Sequence, residues 1–197
     1  MSETLQEIID WLWVAPENGE WTPKTDVVSL ADLRRWLKSP DIEVQGFASG
    51  IIGDGRFRIE PPLPFDEFLH YVMGYYGRCL RENPDGKWSD SRYSAGWTLV
   101  NIFAALWNDP LVPRGAFQEL KTWLGRLYKE GNPEIRTCIV QGTLEHLVEQ
   151  EEFRDLFSDW INDPVLAIAH KEASEWYLGG GSTPLGLRYC PPQQRRG

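Results

Sequence analysis

The chain has 197 residues, of which 42% are hydrophobic and 13% aromatic, and it carries a formal charge of −9 with a sequence pI near 4.9. That length suits one domain or a short run of repeats with a substantial core, and the apolar content excludes a disordered tail. The acidic balance argues against gripping a phosphate backbone, which needs a basic surface, and no apolar run approaches the length that spans a bilayer.

The three cysteines, Cys79, Cys138 and Cys190, are odd in number, far apart and without CxxC or zinc spacing, which predicts reduced thiols in a cytoplasmic protein. Met1 to Trp13 contains Glu3, Glu7 and Asp10 and lacks the basic start of a signal peptide. Ten tryptophans supply more contact area than a compact core of this size needs, so some are expected on a surface that meets something else.

In chain order, Leu5, Ile8, Ile9, Leu12 and Trp13 recur at helical spacing and predict a helix over about 2–14, followed by a loop through Pro16, Asn18, Gly19 and Pro23. Ser29 and Asp32 form a capping-box pattern with Asp in the Glu place, opening a short helix with Leu30, Leu33, Trp36 and Leu37. Pro40 and Asp41 begin a helix through Ile52. Within the turn-rich stretch 53–64, the Arg56–Ile59 alternation fits either a short strand or a loop, and the surrounding glycines and prolines favour the loop.

Phe65 to Glu82 is strongly periodic. Asp90 caps a helix to Trp107 that is apolar almost all round, the pattern of a central, buried element. Arg114 to Lys129 is helical; Gly131-Asn132-Pro133 breaks it and places a proline at a first turn. Helices follow over about 134–149, 151–161 and 164–178. Residues 179–197, with three consecutive glycines and a basic end, are expected to be an irregular tail.

Three helix starts are alike: Ser39-Pro40-Asp41-Ile42-Glu43-Val44, Asn132-Pro133-Glu134-Ile135-Arg136 and Asp163-Pro164-Val165-Leu166. Trp36-Leu37-Lys38-Ser39-Pro40 also matches Trp160-Ile161-Asn162-Asp163-Pro164, and the start near Asp90 lies about midway between Pro40 and Pro133. Small residues follow these starts: Gly46 and Ala48, Ala95 and Gly96, Gly142, then Ala167 and Ala169. Small residues let neighbouring helices approach closely. A polar cap, a proline and small residues opening a second helix resemble the HEAT repeat. The resemblance implies an all-α fold: a short right-handed α-solenoid of about four HEAT-like pairs, in which stacking buries the face each pair leaves open. It implies one helical-repeat domain over 1–178, with an N-terminal helix and loop over 1–28, the pairs over 29–178 and the tail beyond. As a small acidic protein of this kind, the chain also resembles bacterial immunity proteins that neutralise toxins.

Catalytic patterns are missing: there is no GxxxxGK[ST], GxGxxG, GxSxG or HExxH. His146, between Glu145 and Glu149, and His170, two residues before Glu172, read as parts of solvated helix faces rather than metal ligands. His70 gives no signal. Cys79 and Cys138 fall on apolar stripes as structural thiols, and Cys190 has no neighbouring base. No catalytic residue, cofactor or metal site is predicted.

What remains is charge. Between Gly131 and Trp176 ten acidic residues face three basic ones, whereas the last twenty residues carry +3. Glu145, Glu149, Glu152, Asp155 and Asp159 follow at helical spacing and would line one ridge if helix persisted through Gln150. Such a ridge either keeps the protein soluble or docks Lys and Arg. Trp21, Trp88 and Tyr177, in or beside polar loops, either anchor an interface or fold back onto the core. The predicted function is binding of a basic protein, most concretely a toxin capped by an immunity-type inhibitor, with no nucleic acid or membrane partner. A generic adaptor is the alternative, and a metal-dependent or DNA-repair enzyme the last.

Overall fold

A computed structural model describes residues 4–14 and 22–179. The chain divides into two compact units, Met1–Arg92 and Tyr93–Gly197. Helices dominate both, as the periodicity predicts, and no helix among the described residues is long and apolar enough to cross a membrane.

In the first unit, Thr4 and Glu7 form a reciprocal capping box: the Glu7 amide donates to the Thr4 hydroxyl at 3.3 Å, and the Thr4 amide donates to the Glu7 carboxylate at 2.7 Å. Together they open α1 (Leu5–Leu12). The predicted helix to residue 14 stops earlier, because Trp13 turns extended and sets its ring edge-on to Phe57, 5.2 Å away. Trp13–Val14 (β1) pairs antiparallel with Thr22–Pro23 (β2). The residues between them, including Trp21, lie outside the described part.

Val27–Ser29 (β3) runs into α2 (Leu30–Leu37), with the Ser29 hydroxyl accepting from the Asp32 amide at 3.0 Å. Asp41 caps α3 (Ile42–Gly53) by accepting from the Glu43 amide at 2.9 Å. The stretch expected as a loop forms β4 (Arg58–Glu60), parallel to β3 with Val28 opposite Ile59. Alternation decides it: Ile59 turns toward the apolar cluster, while Arg58 and Glu60 point outward and pair with each other at 2.8 Å. The predicted helix α4 (Phe65–Glu82) has the expected bounds. It closes at Asn83, a non-glycine residue in the left-handed region (φ 48°) whose amide donates to the Cys79 carbonyl at 3.0 Å. Ile8, Leu12, Val28, Leu33, Trp36, Val44, Phe47 and Ile51 form the core of this unit.

The second unit opens with α5 (Arg92–Asn108), all but the first residue of which belongs to it, and α6 (Arg114–Glu130). α5 buries Leu99, Val100 and Phe103 but leaves Trp97, Ile102 and Leu106 half-buried, so it is less enclosed than its apolar pattern predicts; the Phe103 ring lies 5.8–6.4 Å from Phe117, Phe153 and Phe157. Asp90, read as the cap of α5, instead accepts a hydrogen bond from the Tyr75 hydroxyl at 3.2 Å, and the helix opens two residues later.

Asn132 caps α7 (Pro133–Ile139) with the proline in the first turn, as predicted. The helix expected to run to residue 149 does not stay regular. It widens into a π turn (Val140–Leu144), resumes as α8 (Glu145–Leu147) and ends. The widening occurs where α5 comes closest: Thr143 Oγ1 donates to the Gly96 carbonyl at 3.2 Å, and a Cβ on Gly96 would meet Gly142 backbone at 3.2 Å. The expectation that small residues permit close approach holds at this crossing. The remaining elements are α9 (Glu151–Phe157), a 3-10 turn (Ser158–Asn162) and α10 (Leu166–Leu178). The Asp163 carboxylate accepts from the amides of Val165 at 3.0 Å and Leu166 at 3.1 Å just ahead of α10, which opens at Leu166 rather than at Pro164 as predicted.

Candidate functional site

The acidic residues of 145–159 do not form one ridge. Gln150 adopts extended backbone (φ −97°, ψ 134°), so α8 and α9 are separate helices and the spacing across them no longer places side chains on a common face. Glu149 turns inward, its side chain only 10% exposed, with Oε1 3.3 Å from His146 Nδ1. Glu145 is half-buried; burial, and then the charge of Glu172, pushes its carboxyl above the usual range. Asp159 is exposed but paired at 2.7 Å with the ammonium of Lys121, a buried lysine that also donates to the Leu156 carbonyl at 3.0 Å.

What stays open is α9. Glu151, Glu152 and Asp155 are exposed on its seven residues and form no ion pair among the described residues; Glu172 on α10 is in the same condition. Other carboxylates are neutralised locally: Glu67 by Arg34, Asp54 by Arg56, Glu82 by Arg78 and Asp163 by Lys129. Exposed carboxylates without an ion pair among the described residues also stand singly elsewhere, at Asp66, Asp85, Asp109 and Glu119, but α9 carries three of them within a short helix, and Arg154 of that helix is turned away from them. The Arg154 guanidinium donates to the carbonyls of Val148 at 2.9 Å and Glu149 at 3.1 Å, satisfying the end of α8.

The two aromatic candidates fold back. Trp88 is half-buried in the first unit with its ring edge-on to Phe47 at 4.9 Å, and its amide is held by the Glu43 carboxylate at 2.9 Å. Tyr177 is half-buried under the Arg154 guanidinium, 4.9 Å from its ring centre. Comparison with protein-family models, curated proteins and solved structures returns no match.

His146 corrects a sequence expectation. It is not on a solvated face: it is 5% exposed, stacked on Trp97 with ring centres 4.0 Å apart, and touched edge-on by Trp176 at 5.3 Å. The placement was readable, because Ile135, Cys138, Ile139 and Gly142 form an apolar stripe whose next member, four residues on, is His146. The flanking glutamates obscured that signal. With one ring face on Trp97 and Nδ1 directed at Glu149, the imidazole ties α5, α8 and α10 together. Among the described residues no three His, Cys, Asp or Glu side chains are grouped so as to hold a metal ion. Cys79 is buried, and burial pushes its thiol up to about 12, far from a nucleophile's range. Cys190 lies outside the described residues.

Proposed function

We propose that this chain is a protein-binding module that receives a basic protein on the acidic flank of its second unit. The observation that carries this reading is the set Glu151, Glu152 and Asp155, three carboxylates without an ion pair exposed together on the short helix α9, where Glu67, Asp54, Glu82 and Asp163 elsewhere have local cations. Like charges crowded on one short helix repel one another, and a cationic partner relieves that repulsion while being steered toward it. The same field repels phosphate backbones and anionic bilayers, so the partner class is protein. The helices are read as HEAT-like pairs of a short right-handed solenoid, a reading supported by the Asn132-Pro133 start of α7 and the close approach at Gly96 and Gly142. No catalytic role is assigned.

The sequence resemblance points to an immunity-type inhibitor capping a basic toxin in the cytoplasm as the specific form. The test is recovery of bound proteins from extracts of the source cells with the wild-type chain and with Glu151→Lys, Glu152→Lys, Asp155→Lys combined. A basic protein held by the wild type and lost by the reversed chain supports the proposal, and an identical bound set with both rejects it. One tight partner whose activity is blocked marks an inhibitor; several partners mark an adaptor.

A further inference from the structure

Between β4 and α4 of the first unit runs Pro61-Pro62-Leu63-Pro64, outside any helix or strand. Proline fixes φ near about −65° at all but Leu63 of this run, and a proline that follows holds Pro61 and Leu63 out of the helical region. Both rules point to polyproline II, and Pro64 adopts it, with φ −59° and ψ 142°. The bond into Pro61 is cis, whereas those within the run are trans. Polyproline II completes a turn in about three residues, so its side chains stand on three ridges. Pro61 and Pro64 share one ridge, Pro62 takes the second and Leu63 the third. Burial follows the same division: the prolines are exposed, while Leu63 is half-buried and packs on the core of this unit. Single exposed prolines are ordinary in loops. Here the core takes the ridge that lacks proline, and both ridges that carry it face solvent.

We infer that Pro61–Pro64 docks a partner domain through a groove lined by Trp and Tyr rings, with the Pro61 and Pro64 rings seated between the aromatics. Grooves of that kind recognise the P-x-x-P pattern in polyproline II, and this run carries it at Pro61 and Pro64. The segment is held at both ends, by the β3–β4 ladder before it and by α4 after it. Docking therefore orders little that is not already ordered, which favours affinity from a short contact. This surface belongs to the first unit and does not rest on the basic-partner reading of α9.

The probes are a WW domain and a Src-homology-type proline-binding domain, each titrated into the isotope-labelled full chain and followed by the amide signals of Leu63 and Phe65. Each probe is paired with a variant whose groove tryptophan is replaced by alanine. Those two signals are expected to move with at least one intact domain and to stay still with the groove variants. Pro61→Ala combined with Pro64→Ala should weaken the binding about tenfold, whereas the Glu151→Lys, Glu152→Lys, Asp155→Lys chain should bind as the wild type does. A circular-dichroism melt verifies folding, and Pro62→Ala, which alters the second ridge alone, should also weaken binding and serves if the double variant unfolds. Silence at Leu63 and Phe65 with both domains up to about 1 mM overturns the inference. So does movement that persists with the groove variants, or binding that survives the proline substitutions. The basic-partner reading stands or falls separately, on α9.

Discussion

Glu43 connects α3 to the segment that closes the first unit. Its carboxylate accepts from the amides of Trp88 at 2.9 Å and Ser89 at 3.0 Å and from the Ser89 hydroxyl. Burial works to push this carboxyl up, but the hydroxyl and amide donors together outweigh burial and hold it below the ordinary value of 4.5. A carboxyl lowered by folding contributes stability that is present above the unfolded value and lost as pH falls through the folded one. Urea midpoints measured from pH 7 downward should therefore drop below about pH 4.5, and Glu43→Gln should flatten that acid limb. Glu43→Ala leaves two backbone amides without their acceptor and should destabilise the chain by about 1–3 kcal/mol. Gly46 sits beneath the same segment: an added Cβ would lie 2.2 Å from the Trp88 carbonyl oxygen, so Gly46→Ala should cost about 1–3 kcal/mol in a denaturant melt. Gly50, one turn along α3, meets nothing within 4 Å, and Gly50→Ala should be neutral or mildly stabilising. The sequence marked Gly46 as a residue of close approach, but not that a loop rather than a helix presses on it. Trp88 shows the same limit: local polarity suggested exposure, and a glutamate 45 positions earlier holds it down.

At the level of elements, caps and periodicity carried most of the legible information. Ser29 and Asn132 cap where their side chains predict, α3, expected to begin at Pro40 and Asp41, opens at Ile42 with Asp41 as its cap, and the periodic stretch Phe65–Glu82 matches α4. Asn132→Ala should lower stability by about 1 kcal/mol in the same melt, since it frees the Ile135 amide now held at 2.9 Å. Two features were not legible because they depend on distant partners. The β3–β4 ladder needs Val28 and Ile59 brought together, and three-residue strands carry little periodicity of their own. The π turn arises where Thr143 reaches the Gly96 carbonyl, a contact between residues 47 positions apart. The broken ridge follows from the same region: once the helix ends before Gln150, Glu149 turns to His146 and α9 starts with a new orientation. His146→Ala removes the ring stacked between Trp97 and Trp176 and should cost about 2–4 kcal/mol, with a blue-to-red change in tryptophan emission as those indoles meet water.

For the molecule as a whole, the net charge of −9 was visible from composition, but its placement was not. Folding pairs many carboxylates with nearby cations, turns Glu149 inward, and leaves Glu151, Glu152 and Asp155 exposed and uncompensated on α9. A surface of that kind acts mainly on the rate of encounter, and salt screens it over about 8–10 Å. The most direct measurement is the stopped-flow association rate with the basic partner recovered by capture, taken across a salt series for the wild type and for the Glu151→Lys, Glu152→Lys, Asp155→Lys chain. The expected result is a rate that falls steeply with salt and is about tenfold or more lower in the reversed chain at low salt. A rate indifferent both to salt and to the reversal would contradict the proposed function.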